Sequence, residues 1–302
     1  MAIVLSDDQY GKAETRVVRI YRDTPRHEIR DLNVSTALRG DFAAAHLTGD
    51  QANVLPTDSQ KNTCYAYAKE RGVGEIEDYA LALAGHFVAD IAAVTRAHVD
   101  VDEYRWDRVP VAGTGHAHTF VRAGQETRTV SVTTVAERSV GNKSWVISGV
   151  RDLVVLKSTG SAFTGFLKDR YTTLAEATDR ILATSLTVRW RYAGTEAAWG
   201  ESFGQVRQIL LERFAEVESN ALQQTLWEMG AAVLAARDDI AEIRLSAPNK
   251  HHFLVDLAPF GLDNRGEVFH ADDRPYGLIQ CAVRREGGPD AGPAWEGPAS
   301  FA

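Results

Sequence analysis

Val17 to Tyr21 reads Val-Val-Arg-Ile-Tyr, a β-branched and aromatic run that predicts a strand. Asp23-Thr24-Pro25 is turn chemistry, and Ile29 to Leu38 predicts the returning strand. A polar group follows at Thr57–Asn62, and Thr63-Cys64-Tyr65-Ala66-Tyr67 then alternates as a strand would. Within Glu75–Val94, Leu83, Phe87, Ile91 and Val94 recur at three- and four-residue spacing, which predicts an amphipathic helix. Val99 and Val101 alternate with Asp100 and Asp102 in the next strand. Tyr104 and Trp106 keep the period but shift its phase, as at a bulge. Phe120–Val135 holds another alternating segment, with Val130 and Val132 on one face.

The second half repeats the plan. Val146–Lys157 and Ser185–Tyr192 predict strands; in the latter Leu186, Val188, Trp190 and Tyr192 alternate with Thr187, Arg189 and Arg191. Phe203, Val206, Leu210, Phe214 and Val217 form one helical stripe, and Leu222, Leu226, Met229 and Val233 form another. Strands are expected again at Ile243–Leu245, Lys250–Leu257 and Leu278–Val283. Strand pair, helices, strand pair thus occurs twice. The expected class is α+β: two tandem units of antiparallel sheet, each with helices packed on one face. Residues 1–140 form the first expected unit and 141–285 the second, with the boundary near Glu137–Asn142. Residues 286–302 are rich in Gly and Pro and lack periodicity, which predicts a flexible tail.

Composition narrows the function classes. The chain has 302 residues, 44% hydrophobic and 25% charged, with a net charge of −8. That is ordinary for a globular protein large enough to fold without disulfides or metals. No basic stripe marks a nucleic-acid binder. No apolar run approaches the ~20 residues of a membrane helix, and Met1–Asp8 turns acidic too soon for a signal peptide. Cys64 and Cys281 sit in apolar stretches with no metal-ligand spacing, so buried thiols in a reducing cytoplasm are expected.

Candidate chemistry concentrates in polar groups abutting structured segments. Thr57-Asp58-Ser59-Gln60-Lys61-Asn62 is one, and Asn249-Lys250-His251 is the other. On a strand, His251 shares a face with Asn249 while His252 points away. Lys12, Thr57 and His251 can form a proton relay if folding or association brings them together. Taken singly, Lys12 reads as a solvated charge and Thr57-Asp58 as a turn or helix cap. Arg180 reads either as a helix-surface charge or as a guanidinium fork for a planar acceptor edge. Phe163 fits a core or a stacking platform, and Gln223, at a helix start, offers both donor and acceptor. His116-Ala117-His118 could ligate a metal from a strand, but Gly113, Thr114 and Gly115 favour a loop and no third ligand completes a set.

Several segments together carry a specific resemblance. They are Tyr10-Gly11-Lys12; Thr57 to Thr63; Lys157-Ser158-Thr159-Gly160-Ser161-Ala162-Phe163-Thr164-Gly165-Phe166; Tyr171-Thr172-Thr173-Leu174; Asp179-Arg180-Ile181-Leu182; and Pro248-Asn249-Lys250-His251. In this order they resemble the motifs of the urate oxidase (uricase) family, and the similarity runs from about Tyr10 to Val283. The resemblance implies two tandem tunnelling-fold (T-fold) units per chain and a homotetramer with active sites at subunit interfaces. Lys12, Thr57 and Asp58 would come from one chain, and Phe163, Arg180, Leu222, Gln223, Asn249 and His251 from its neighbour.

The implied reaction oxidises urate with dioxygen and water to 5-hydroxyisourate and hydrogen peroxide, with no metal or other cofactor. Arg180 and Gln223 would grip the urate edge and Phe163 would stack on its plane. Leu222 would act through its backbone, so that Leu in place of the Val common in relatives matters little. Backbone groups of Thr57 and Asp58 would reach the opposite edge, Asn249 and Thr57 would hold dioxygen or water above the ring, and Lys12, Thr57 and His251 would move protons. No matched catalytic position is substituted. The absence of a C-terminal Ser-Lys-Leu fits a bacterial cytoplasmic enzyme. A same-fold enzyme acting on another purine or pterin, such as a cyclohydrolase, would call for zinc ligands, of which the sequence has no credible set. A non-enzymatic purine-binding oligomer would bind urate without releasing peroxide.

Overall fold

The computed structural model describes residues 1–137 and 141–297. Its strands are β1 (Tyr10–Tyr21), β2 (Glu28–Gly40), β3 (Val94–Glu103), β4 (Trp106–Val111), β5 (Thr114–Arg122), β6 (Thr127–Val135), β7 (Lys143–Lys157), β8 (Leu182–Tyr192), β9 (Ile240–Leu254), β10 (Phe269–Asp272) and β11 (Leu278–Arg284). Its α-helices are α1 (Ala43–Leu47), α2 (Thr57–Glu70), α3 (Ile76–Asp90), α4 (Trp199–Glu216) and α5 (Leu222–Ala236). Strand, strand, helix pair, strand, strand therefore occurs twice: β1, β2, α2, α3, β3, β6 and then β7, β8, α4, α5, β9, β11. The expected α+β class is what the chain forms. The short helix α1, the β4–β5 hairpin and β10 are additions to the repeated plan. No described helix is long and apolar enough to cross a membrane.

Contacts divide the chain into two compact units. The first holds Met1–Gly149, Arg191–Gly200 and the described part of Gly288–Ala302; the second holds Val150–Trp190 and Glu201–Gly287. In the first unit the strand order is β1-β2-β3-β6-β7. The pairings β1–β2, β2–β3 and β3–β6 are antiparallel. Val99 faces Val132 and Val101 faces Val130 across β3 and β6. These valines are buried, as are Ile76, Leu83 and Phe87 of α3, which packs on both strands. In the second unit β8 neighbours β9, and β9 pairs antiparallel with β11. Leu226, Met229 and Val233 bury one face of α5 against β9 and β11. Each such side chain contributes about 1.5–3 kcal/mol of burial.

Several local expectations are corrected. Thr63–Tyr67 lies in α2 rather than in a strand: Gln60, Cys64 and Ala68 are its buried residues, spaced four apart, so a helical period underlies the apparent alternation. Helix α3 ends at Asp90 and Val94 already starts β3. Tyr104 marks a strand break, not a bulge: β3 ends at Glu103, and Trp106 opens the hairpin β4, where its Nε1 donates to Asp31 Oδ2 at 2.9 Å. His116 and His118 lie in β5, not in a loop, with ring centres 4.5 Å apart. Among the described residues no three His, Cys, Asp or Glu form a metal-holding group. Ile243–Leu245 and the first part of the expected strand Lys250–Leu257 belong to one long strand, β9, which ends at Leu254 and leaves residues 255–257 outside it. Cys64 is buried, Cys281 is partly buried, and both are free thiols.

The expected loose tail is packed over its described part. Gly292–Trp295 forms a 3-10 turn, Ala294 is buried, and Glu296 meets Arg96 at 2.8 Å. Residues 298–302, and residues 138–140 at the expected unit boundary, lie outside the described residues.

Candidate active site

In the first unit Lys12, Thr57 and Asp58 are brought together by strand register and a helix start. Lys12 on β1 pairs with Thr36 on β2, and the register shifts just after it, between Lys12 and Thr15. Gly11 has no alternative beside it: a Cβ there would stand 1.8 Å from the Thr36 carbonyl oxygen. The Lys12 N–H points at Thr36 Oγ1 at 3.4 Å, and that hydroxyl donates to Gln60 Oε1 at 2.7 Å. Gln60 is fully buried in the first turns of α2. A buried polar thread therefore ties the Lys12 backbone to the helix that begins at Thr57.

Pro56 precedes that helix, and Gln60 N is the first amide to reach back, to Pro56 O at 3.2 Å. The amides of Thr57, Asp58 and Ser59 have no carbonyl to bond within the helix. They stand at its positive end, where an anionic edge is favoured. Lys61 donates to Asp58 Oδ1 at 2.5 Å and Asn62 to Oδ2 at 3.1 Å. The Lys61 hydrogen bond and charge hold the Asp58 carboxyl below its ordinary value, with lesser pulls from Asn62 and the Lys12 charge. Asp58 is committed to being an anion, and its backbone is what remains for a ligand.

In the second unit Phe163 and Arg180 lie on the long connection between β7 and β8. Arg180 is not on a helix, as the sequence allowed, but in irregular chain two residues before β8. The connection folds back on itself: Phe163 and Ala177 exchange backbone hydrogen bonds at 2.7 and 3.0 Å, and Arg180 N donates to Ser161 O at 2.8 Å. Phe163 stacks on Phe166, with centres 4.7 Å apart and planes 14° apart. The Arg180 guanidinium carbon lies 5.0 Å from the Phe163 ring centre. Burial pulls the Arg180 pKa down, and its Nε is buried with no hydrogen-bond partner. Among the described residues no carboxylate pairs with it.

The same connection is stitched to the start of α5. Ala162 N donates to Ser219 O at 2.8 Å, and Ser219 N donates to Gly160 O at 2.9 Å. Ser219 Oγ meets Thr225 Oγ1 inside α5 at 2.6 Å. Leu222 is the first residue of α5 and buried, Gln223 follows it exposed, and Thr225 N is bonded to Ala221 O. Leu222 and Gln223 therefore offer amides at a second helix N-terminus. Asn249 and His251 lie on β9, two residues apart and so on one face. Asn249 N donates to Gly277 O at 2.8 Å, and Thr184 Oγ1 donates to Pro248 O at 2.9 Å. That bond sets the Pro248–His251 stretch beside the start of β8, which Arg180 precedes.

The supporting contacts of two groups escaped the reading of the sequence, although Gln60 and Asp179 stand in its motifs. Gln60 and Thr36 form the buried thread behind Lys12, and only the i, i+4 spacing of Gln60 with Cys64 could have pointed inward. Asp179 accepts from Thr159 Oγ1 at 2.7 Å and from Gly160 N at 3.0 Å. Its partners lie about twenty residues upstream, beyond the reach of any local pattern.

With this geometry in view, comparison with known proteins is direct. The family model described as Uricase matches residues 8–133 and 146–280. The uricase of Arthrobacter globiformis is 50% identical over 299 residues, which cover 99% of this chain and 96% of that protein. The uricase of Danio rerio is 35% identical over 282 residues, 92% of this chain and 93% of that one. The crystal structure of uricase from Arthrobacter globiformis superposes with a TM-score of 0.92 at 48% identity, covering 98% of this chain and 100% of that one. A uricase structure from Bacillus fastidious superposes with a TM-score of 0.82 at 25% identity, covering 93% and 94%. The twice-repeated strand–helix plan is accordingly a tandem T-fold, and the chain belongs to the uricase family.

Proposed function

We propose that this chain oxidises urate, taking dioxygen as the electron acceptor and water as the source of the added hydroxyl, and releasing 5-hydroxyisourate and hydrogen peroxide. One observation carries the reading: a half-buried guanidinium, Arg180, whose Nε has no hydrogen-bond partner among the described residues, lies beside the partly buried ring of Phe163. Such a pair suits a flat anion, which supplies the missing charge to the one and a π-face to the other. Gln223 adds donor and acceptor at the same edge. The Thr57 and Asp58 amides at the start of α2 serve the opposite edge.

The chemistry then needs protons moved and oxygen placed. Urate, dioxygen and water balance 5-hydroxyisourate and hydrogen peroxide: urate gives two electrons to dioxygen, and the water oxygen bonds to the purine carbon. Lys12 lowers the cost of deprotonating the Thr57 hydroxyl, and His251 passes the proton on. Asn249 and Thr57 hold dioxygen or water over the ring. The electron donor is the substrate itself, so the scheme asks of the protein only binding, orientation and proton transfer.

The two half-sites meet in a homotetramer, with the Lys12–Thr57–Asp58 group of one chain facing the Phe163–Arg180–Gln223 and Asn249–His251 groups of its neighbour. The test of the reaction is to add urate to protein stripped of metal, then follow its ultraviolet absorbance, oxygen uptake and peroxide together. Matched loss of urate and oxygen with peroxide release is expected. Urate binding without oxygen uptake would make the chain a purine-binding protein instead.

A further inference from the structure

We propose that Asp179 is a positioning residue for urate binding. Its carboxylate clamps Thr159 and Gly160 to the segment that delivers Arg180, and so holds Arg180 and Phe163 at the spacing a flat anion requires. The inference rests on the urate-binding reading of Arg180 and Phe163 and assigns the support beneath them.

The connection from Ser158 to Ile181 has neither helix nor regular strand. A loop of this length carries a binding group reliably only if its own contacts freeze it. Here two runs of it lie side by side. The outgoing run is Thr159–Phe163 and the incoming run is Ala177–Arg180, joined by the Phe163–Ala177 pair and by Arg180 N on Ser161 O. Asp179 closes the end of this ladder. One carboxylate oxygen accepts the Thr159 hydroxyl at 2.7 Å and the other accepts the Gly160 amide at 3.0 Å. Gly160 sits at φ 75°, a left-handed turn open to glycine, and the carboxylate satisfies the amide which that turn exposes.

The clamp reaches further than its own loop. Gly160 O accepts Ser219 N, Ala162 N donates to Ser219 O, and Ser219 Oγ meets Thr225 Oγ1. Asp179 therefore anchors the strip that relates Arg180 and Phe163 to Leu222 and Gln223. The Thr159 hydrogen bond, followed by the backbone amides, holds the Asp179 carboxyl below its ordinary value. The clamp is complete at neutral pH and releases as pH falls through that lowered value. Asp179 is exposed and outside the core, so its removal is expected to disturb the loop and not the fold.

The test is anaerobic titration with urate, where binding proceeds without turnover, alongside steady-state kinetics in air. Asp179→Ala is expected to raise the urate Kd and KM about tenfold or more, change kcat less than about threefold, and leave the Tm nearly unchanged. Asp179→Asn, which keeps an acceptor, recovers part of the loss. Thr159→Val reads the same contact should Asp179→Ala not fold, and the double variant Thr159→Val/Asp179→Ala costs little more than the larger single change. If the wild type binds urate and the Asp179 and Thr159 variants bind it equally well, the clamp is overturned while the site stands. A wild type that does not bind urate overturns the site and the clamp with it.

Discussion

Arg180 is a cation that the fold half-buries without an ion partner among the described residues, and its neighbours explain why it can stay there. A guanidinium keeps its charge against desolvation, and a ring at 5.0 Å offers partial compensation. Replacing it by alanine removes charge-assisted bonds worth about 1.5–3 kcal/mol; urate KM is expected to rise roughly ten- to a hundredfold, and an unchanged KM in steady-state assays would remove Arg180 from the clamp. In the proposed relay Lys12 and Thr57 act in the chemical steps instead, which Lys12→Ala and Thr57→Ala would slow. Both are expected to lower kcat by about a hundredfold or more while urate binding changes little; near-normal turnover would dismantle the relay. Cys64 has no such role. Burial pushes its thiol up to about 12, so it stays protonated near neutrality, and its thiolate forms only as pH climbs towards that value. A thiol reagent is therefore expected to leave Cys64 untouched in the native protein at pH 8 and to modify it after denaturation. The motifs made Lys12, Thr57, Arg180 and His251 legible beforehand. Gln60 and Asp179 stood in those motifs too, but their supporting contacts, and Thr36 altogether, were not legible, because hydrogen bonds across about twenty residues leave no periodic trace.

The elements decide how accurately those residues are aimed. Helix periodicity showed α3, α4 and α5 because each buries a continuous apolar stripe, as Leu226, Met229 and Val233 do. Helix α2 was hidden: its buried positions are Gln60, Cys64 and Ala68, a stripe too polar and too small to stand out. The β4–β5 hairpin was hidden for a different reason, since its exposed strands need not alternate. The start of α2 is held to β1 through Thr36, and β1 approaches Thr36 so closely that Gly11 alone fits. Gly11→Ala is expected to destabilise the fold by about 1–3 kcal/mol or more through overpacking and to remove activity with it. Denaturant unfolding checks the first effect; a Gly11→Ala protein of native stability and native turnover would show that the β1–β2 crossing does not set the Lys12 position.

Over the whole molecule, the repeated strand–strand–helix–helix–strand–strand plan was readable because both halves carry the same succession of periods. The packed segment Gly292–Trp295 was not, since its anchor is the fit of Gly292 against Trp145 and not any pattern of its own. The candidate groups fall into two sets, Lys12, Thr57 and Asp58 in one compact unit and the remainder in the other. The proposed homotetramer joins a set from one chain to the complementary set of its neighbour. The most direct measurement is therefore complementation. Thr57→Ala chains and Arg180→Ala chains are each purified, unfolded together and reassembled, and urate oxidation by the mixed oligomers is measured. Sites shared between chains predict recovery of about a quarter of wild-type activity, the share that random pairing completes with both side chains intact. Mixed oligomers that form but stay as inactive as either parent would contradict a site built from two chains.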